Sequence, residues 1–358
     1  MRIKKATKRY EAWLGERLSL IPADITLKHS RMEEAPFPFL RATYYRWHQL
    51  WRELCTDLAK APRVLAVGDL HLENFGTWRD AEGRLIWGIN DFDEAFPLAY
   101  TNDLVRLAVS AHLAIASNHL ALPTQDACKS ILSGYREGLE EGGKPFVLEE
   151  DHKWLREAVT GELRDPVHFW GKMNALPTLR GEIPKSARKA LEELLPERGM
   201  IYRVAHRAAG LGSLGRERFV ALADWGGARV AREAKALAPS ACVWANEGKG
   251  PQKIFYETII TKAVRALDPF VHLRGRWIVR RLSPHCSRIE LSALREKRDE
   301  GRLLNAMGFE TANIHLGSKD AIKAVRRDLG KRKPDWLHLA AQEMTKAVSK
   351  DWEEWKKP

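Results

Sequence analysis

The chain has 358 residues, room for two ordinary domains or one two-lobed enzyme, and its 59 Lys and Arg against 47 Asp and Glu give a formal charge of +12. That balance favours an anionic partner, but the basic residues are spread along helical segments without a recognition module or aromatic-basic interleaving, so nucleic acid is the poorer fit. Cys55, Cys128, Cys242 and Cys286 show no CxxC spacing and no Cys/His cluster along the chain, no apolar stretch follows the basic MRIKKATKRYEAW, and no run of eighteen apolar residues occurs; the expectation is a reduced, cytoplasmic protein without structural zinc, signal peptide or membrane span.

Residues 1–30 read as basic helix with a break at Ile21–Asp24. Ala35 to Arg41 is rich in aromatics and proline, and Ala42 to Leu58 carries helical periodicity into a strand. Arg41 is a candidate contact for a nearby anion; the alternative is a helix packed behind the next loop. The thirteen tryptophans are scattered and read as packing residues rather than a base-stacking platform.

The stretch Val64–Ala95, VLAVGDLHLENFGTWRDAEGRLIWGINDFDEA, organises the rest. Val64–Val67 is a buried strand end broken by Gly68-Asp69, and Phe75–Trp78, the turn Asp80–Gly83 and Leu85–Ile89 form a hairpin signature. A hairpin returns its second strand to where the first began, so Asp91 and Asp93 should arrive beside Asn74 and Asp69. Any one of these residues alone reads as a turn former. Together they gather carboxylates that repel unless a cation compensates, and oxygen ligands without thiolate suit magnesium completed by substrate phosphates.

Gly68-Asp69-Leu70-His71-Leu72-Glu73-Asn74 resembles the catalytic loop of the aminoglycoside phosphotransferase and choline kinase group, and Asn90–Ala95 is similar to that group's metal-binding segment. The resemblance implies that Asp69 is the catalytic base, that Asn74 and Asp91 are magnesium ligands and that Asp93 is a further ligand. His71 is expected to be structural. Val67 stands where aminoglycoside kinases usually have a histidine.

After Pro97, Asn102-Asp103 opens an apolar helix, Leu104–Leu120. Asp103-Leu104 resembles the segment that braces the catalytic loop in small-molecule kinases, and no long activation segment separates it from Ala95. Residues 124–200 read as amphipathic helices with breaks at Gly142-Gly143, Pro166, Pro177 and Pro184 and carry no recognisable chemistry.

Tyr202–Ala209 then reads as a strand, Gly210-Leu211-Gly212-Ser213-Leu214-Gly215 as a glycine-rich turn, Arg218–Leu222 as a second strand, and Ala228–Leu237, after Gly226-Gly227, as a third that contains Lys235. A dinucleotide fingerprint needs a helix directly after its glycines; here a strand follows, so Gly210, Gly212, Ser213 and Gly215 belong to a hairpin whose amides can cover phosphates. It resembles a kinase glycine loop, and Lys235 stands where kinases keep the lysine that holds the nucleotide's phosphates; taken alone it is an exposed strand lysine. The same resemblance implies that Glu257, on a helix Gly250–Leu267, pairs with Lys235, with Glu247 as the rival. Trp277–Leu282 reads as a strand entering Ser283-Pro284, suited to a hinge contacting adenine. Leu291–Met307 and Thr311–Leu316 read as helical, and the tail beyond Ser318 as charged amphipathic helix.

Kinases place glycine loop and lysine before the catalytic loop; this chain places them after it. The order also resembles a bacterial family, domain of unknown function 2252, with GDxHLxNFG, NDFDE and a later GxGSxG in sequence, from about Lys28 to Leu316. These resemblances imply an α+β, two-lobed protein-kinase-like fold, circularly permuted. Residues 1–200 would form a helical catalytic lobe, 201–285 a β-rich nucleotide lobe, and 286–358 returning helices and a charged tail. They imply an ATP- and magnesium-dependent phosphotransferase acting on a small-molecule hydroxyl. The alternatives are a kinase-like module that binds nucleotide without transfer, or an enzyme that transfers AMP.

Overall fold

The computed structural model describes residues 1–149, 151–159, 165–286 and 300–357. Within them the architecture is α+β, with helices packed about three antiparallel sheets. Four helices open the chain: α1 (Ile3–Gly15), α2 (Pro22–Glu34), α3 (Pro36–Ala42) and α4 (Tyr44–Leu54). α1 buries Ile3, Ala6, Tyr10 and Leu14, a stripe at helical spacing. The break expected at Ile21–Asp24 falls earlier, because Pro22 supplies the first turn of α2, where a missing N–H costs nothing. The helix expected over Ala42–Leu58 is likewise corrected. Thr43 leaves helical geometry, donates its hydroxyl to Phe39 O at 2.7 Å and separates α3 from α4.

Four short strands follow: β1 (Arg63–Ala66), β2 (Phe75–Arg79), β3 (Leu85–Ile89) and β4 (Phe96–Ala99). β1 pairs with β4, Val64 opposite Leu98, and β2 with β3, Phe75 opposite Ile89. Asp80 closes the β2–β3 turn by accepting from Glu82 N and Arg84 N. The apolar helix after β4 is α5 (Thr101–Ala116), buried on nearly every side. It starts one turn earlier than its apolar run suggests and ends at Ala116.

α6 (Thr124–Glu141) is followed by β5 (Phe146–Val147), which adds to the edge of β3 and is too short for periodicity to announce. α7 (Lys153–Val159), α8 (Pro166–Asn174) and α9 (Lys185–Glu192) complete this part. Pro166 begins α8 rather than breaking a helix, with the Asp165 carboxylate accepting from Val167 N.

The largest sheet runs β6-β7-β8-β10-β9, from β6 (Arg203–His206), β7 (Arg218–Trp225), β8 (Ala228–Ala236), β9 (His272–Arg274) and β10 (Trp277–Leu282). Alternation divides its residues. Phe219, Ala234, Ala236, Trp277 and Val279 join the main core, with Trp277 Nε1 donating to Ser186 on α9. On the other face Arg218 stands opposite Lys235, and Glu233 opposite Arg280.

α10 (Ala241–Ala245) and α11 (Tyr256–Lys262) lie between β8 and β9. The helix expected over Gly250–Leu267 is confined to Tyr256–Lys262. Gly250, at φ +107°, and Pro251 resist helix at its start, and Ala263 turns extended so that Val264 N reaches Asn313 O. The chain ends in α12 (Glu300–His315), α13 (Lys319–Lys331) and α14 (Trp336–Lys356). Residues 291–299 of the helix expected from Leu291 lie outside the described residues.

α12 packs so closely on α6 that a Cβ at Gly134 would collide with Asn305 O, and one at Gly308 with Ile131 O. The tail is core structure as well as charged surface: α14 buries Leu337, Ala341, Met344 and Val348, and Asp351 accepts from Arg46 Nε at 2.6 Å. Among the described residues no helix is long and apolar enough to cross a membrane. All four cysteines are free.

Candidate active site

Gly68 lies at φ +83°, and a Cβ there would collide with Glu94 O, so the turn after β1 requires glycine. The Asp103 carboxylate on α5 accepts from Val67 N at 2.7 Å and Gly68 N at 3.0 Å, while Asn102 Nδ2 donates to Gly68 O. Asp103 thus braces the loop from beneath, and His315 Nε2 lies 3.1 Å from it.

The loop presents Asp69 to Arg106, whose Nε donates to Asp69 Oδ1 at 2.9 Å and whose Nη2 contacts the same oxygen. Arg106 is fully buried, near the rings of Tyr44 and Trp47, with Nη2 also donating to Leu40 O. Burial pushes the Asp69 carboxyl up to about 7; Arg106 pulls it down, and the negative charge of Glu94 adds to the rise.

His71 Nδ1 accepts from Glu73 N, and Asn74 Oδ1 accepts from His71 N at 2.7 Å, a reciprocal cap on the short 3-10 turn Leu72–Asn74. His71 thus caps this turn. Asn90 N donates to Asn74 O, so the hairpin sets Asp91 and Asp93 next to Asn74. Asp91 Oδ1 accepts from Asp93 N and lies 3.6 Å from Lys235 Nζ; Asp93 Oδ1 lies 2.6 Å from the same nitrogen. Burial and the charge of Asp91 raise the Asp93 carboxyl above the usual range. Burial also opposes ionisation of Asp91, but Lys235, the Asp93 hydrogen bonds and Arg280 outweigh it and hold Asp91 low.

The glycine-rich turn lies across this loop. Gly210 is at φ +74°, Leu211–Ser213 form a 3-10 turn, and Ser213 Oγ accepts from Arg218 Nη2 at 2.7 Å. A Cβ at Gly212 would sit 3.0 Å from Arg41 O and 3.3 Å from Asp69 Oδ2, so the turn rests against α3 and the Asp69 carboxylate. Gly215 differs: at φ +94° it packs on Ile25 of α2, and its carbonyl accepts from Ile21 N. Gly210, Gly212 and Ser213 line the cleft; Gly215 anchors the turn. Arg41 also lines the cleft and lies 2.5 Å from Glu73 Oε2.

The carboxylates beside Lys235 are those of Asp91 and Asp93, which corrects the expected pairing with a helix glutamate. Glu257 is exposed on α11, and Glu247 is exposed at φ +55°. With α11 reduced to two turns, that helix does not carry Glu257 to the sheet. Lys235 itself is 3 % exposed rather than the free strand lysine its sequence position allows.

Sequence reasoning missed the groups that hold the site together. Glu94 accepts from Arg216 Nη2, Ser240 Oγ and Ala241 N, linking the acidic segment to the start of α10. Arg216 also lies 3.7 Å from Asp93. Glu233, fully buried, takes Arg207, Arg218 and Arg280 within 3.0 Å, and although burial opposes its ionisation the three guanidinium groups hold it well below the usual range. The signal available was charge at alternate positions of apolar strands, Glu233 and Lys235 in β8 and Arg218 and Arg280 in their neighbours.

The cleft has a volume of about 480 Å³, the size of a small-ligand site. More Arg and Lys than Asp and Glu line it, so its walls favour a polyanion. Phe169, Met173 and Leu282 give it an apolar end under α8, and Ser283, at the end of the expected hinge strand, also reaches it. Asn74, Asp91 and Asp93 present oxygen donors only, and the Asp91 side chain is 39 % exposed toward the cleft. The Asn74 amide oxygen keeps a second lone pair beyond its bond to His71 N. This donor set fits a magnesium ion.

Fold and site thus define an α+β protein in which a carboxylate loop and a lysine-bearing sheet share one cation-rich cleft. Residues 18–166, the segment that contains Asp69, Asn74, Asp91 and Asp93, match the model of the family described as "Uncharacterized protein conserved in bacteria (DUF2252)". The match ends before the glycine-rich turn and Lys235. No curated protein and no solved structure matches the chain.

Proposed function

We propose that this protein is an ATP- and magnesium-dependent phosphotransferase with a circularly permuted, kinase-like arrangement, acting on a small-molecule hydroxyl. The observation that supports it is the convergence of two separate segments: Asp69, Asn74, Asp91 and Asp93 line the same cleft as Gly210, Gly212, Ser213 and Lys235. Neither segment alone has a reason to face the other.

In this reading Asp69 accepts the acceptor's hydroxyl proton, a task for which a carboxyl near 7 is suited at neutral pH. Asn74, Asp91 and Asp93 hold the metal, which when bound neutralises charge on the β- and γ-phosphates. Lys235 and the arginines of the cleft orient the phosphates, and the glycine-rich turn covers them with backbone amides. The apolar end beneath α8 takes the base. Catalysis is then positioning and electrostatics, consistent with a site built of ligands rather than a nucleophile.

The test is magnesium-dependent ATP binding by calorimetry, with ADP and pyrophosphate release, on wild type and on Asp69→Ala, Asp91→Ala and Lys235→Ala. ADP formation that falls roughly 10²–10⁴-fold in Asp69→Ala, with binding weakened in Asp91→Ala, is the expected result. Pyrophosphate in place of ADP assigns AMP transfer, and binding with neither product across an acceptor screen assigns a binding module. No nucleotide binding overturns the reading.

A further inference from the structure

A second constellation lies away from the cleft, where three helices meet. His112 on α5, Cys128 on α6 and His338 on α14 each place one ligand atom so that all three lie within 4.8 Å of one another. His112 Nε2 is 3.4 Å from Cys128 Sγ, and the His112 and His338 ring centroids are 5.4 Å apart. The sequence separates these residues too widely for any ligand spacing to be read.

Three features distinguish this group from a satisfied buried cysteine-histidine contact. The 3.4 Å between His112 Nε2 and Cys128 Sγ is the spacing of a first coordination shell, since zinc–sulfur and zinc–nitrogen bonds of about 2.3 and 2.0 Å set tetrahedral ligands about 3.3–3.6 Å apart, and the third ligand atom lies within 4.8 Å of both. His338 Nδ1 is buried and has no hydrogen-bond partner among the described residues, a costly condition that a ligand would relieve. The ring of His112 is held by the Thr124 backbone, as a metal-ligating histidine is commonly oriented through its other nitrogen.

We propose that His112, Cys128 and His338 form a binding site for a borderline-soft divalent transition ion of the zinc class, with its fourth position open. The open position faces a surface cavity of about 480 Å³ that Cys128 and His338 line, together with Glu137, Glu140 and Asp335. Two histidines and a thiolate with one position open to solvent is the donor set of an exchangeable zinc site rather than a closed structural one. On binding, a metal–sulfur bond forms and the thiol proton of Cys128 passes to solvent. The site is independent of the nucleotide reading, since it shares no residue with the cleft.

Cobalt(II), a spectroscopic stand-in for zinc, tests the site on the full chain. The expected result is one equivalent bound with a thiolate-to-cobalt charge-transfer band in the near ultraviolet, displaced by zinc. The band should be lost in Cys128→Ser and kept in Cys242→Ser. His338→Ala, at a partly exposed position, should weaken binding at least tenfold while its far-ultraviolet circular dichroism stays that of wild type. No band at saturating cobalt, a band that survives Cys128→Ser, or unchanged affinity in His338→Ala overturns the proposal and leaves a plain sulfur–imidazole hydrogen bond.

Discussion

Lys235 Nζ lies 2.6 Å from Asp93 Oδ1, so the ammonium group of the five-stranded sheet balances the carboxylate pair that follows the β2–β3 hairpin. Both side chains are less than a tenth exposed. Removing one partner of such a buried pair costs roughly 3–5 kcal/mol, because the other is left charged in a poor solvent. Lys235→Met should lower unfolding free energy in urea by that order at pH 7.5. It should regain part of the loss near pH 5, where Asp93 takes up a proton, and adding Asp93→Asn should restore much of it. A loss that is the same at both pH values would contradict this account.

Asp69 makes stability depend on pH in a stated direction. Its folded value of about 7 is above the ordinary 3.8, so between roughly pH 4 and 7 the folded protein holds a proton that the unfolded chain has released. The stabilisation is complete below that window and lost as pH rises through 7, at up to about 1.4 kcal/mol per pH unit. Urea titrations from pH 5 to 8 should show a shallower decline in Asp69→Asn than in wild type. The slope is the readout, since the level also reflects Arg106 losing its partner.

Arg106 positions Asp69 and lowers its proton affinity, so Arg106→Gln should raise the Asp69 carboxyl by roughly 1–3 units. Carbon-13 carboxyl NMR would follow the shift directly. If Asp69 is the base, the acid limb of turnover against pH moves upward with it. An unmoved carboxyl titration would leave Arg106 a packing residue only.

Glu233 and Glu257 provide a paired comparison. Glu233→Gln leaves Arg207, Arg218 and Arg280 without their shared anion and should cost several kcal/mol, on the order of other broken buried pairs. Glu257→Gln, on an exposed position, should stay within about 0.5 kcal/mol and leave ATP binding as in wild type. A large effect on nucleotide binding in Glu257→Gln would restore the kinase-type pairing.

Between α6 and α12, Gly134 and Gly308 let each backbone approach the other helix. Gly134→Ala puts a methyl group against Asn305 O and should destabilise by about 1–3 kcal/mol or more, despite alanine's better helix propensity. A stabilised variant would show that the helices can separate freely.

Much of the candidate site was legible because its information is local. The run Gly68-Asp69 to Asn74, the hairpin turn at Asp80 and the return to Asp91 and Asp93 depend on turn chemistry and strand alternation within a few residues. The β7–β8 hairpin with its glycine pair was equally readable. Glu257 misled because a kinase pattern was extended across Gly250 and Pro251, which stop the helix that would have delivered it.

By itself, then, the sequence determined the α+β class, the acidic loop, the glycine-rich turn and the strand that carries Lys235, since periodicity and turn propensity act between near neighbours. The tertiary structure alone decided that Lys235 meets Asp93, that Arg106 holds Asp69, that Glu233 gathers three arginines, and that His112, Cys128 and His338 come within 4.8 Å of one another. Those partners come from separate elements. Only chain packing, which buries charge and then requires each buried group to find a counterpart, brings them within bonding distance.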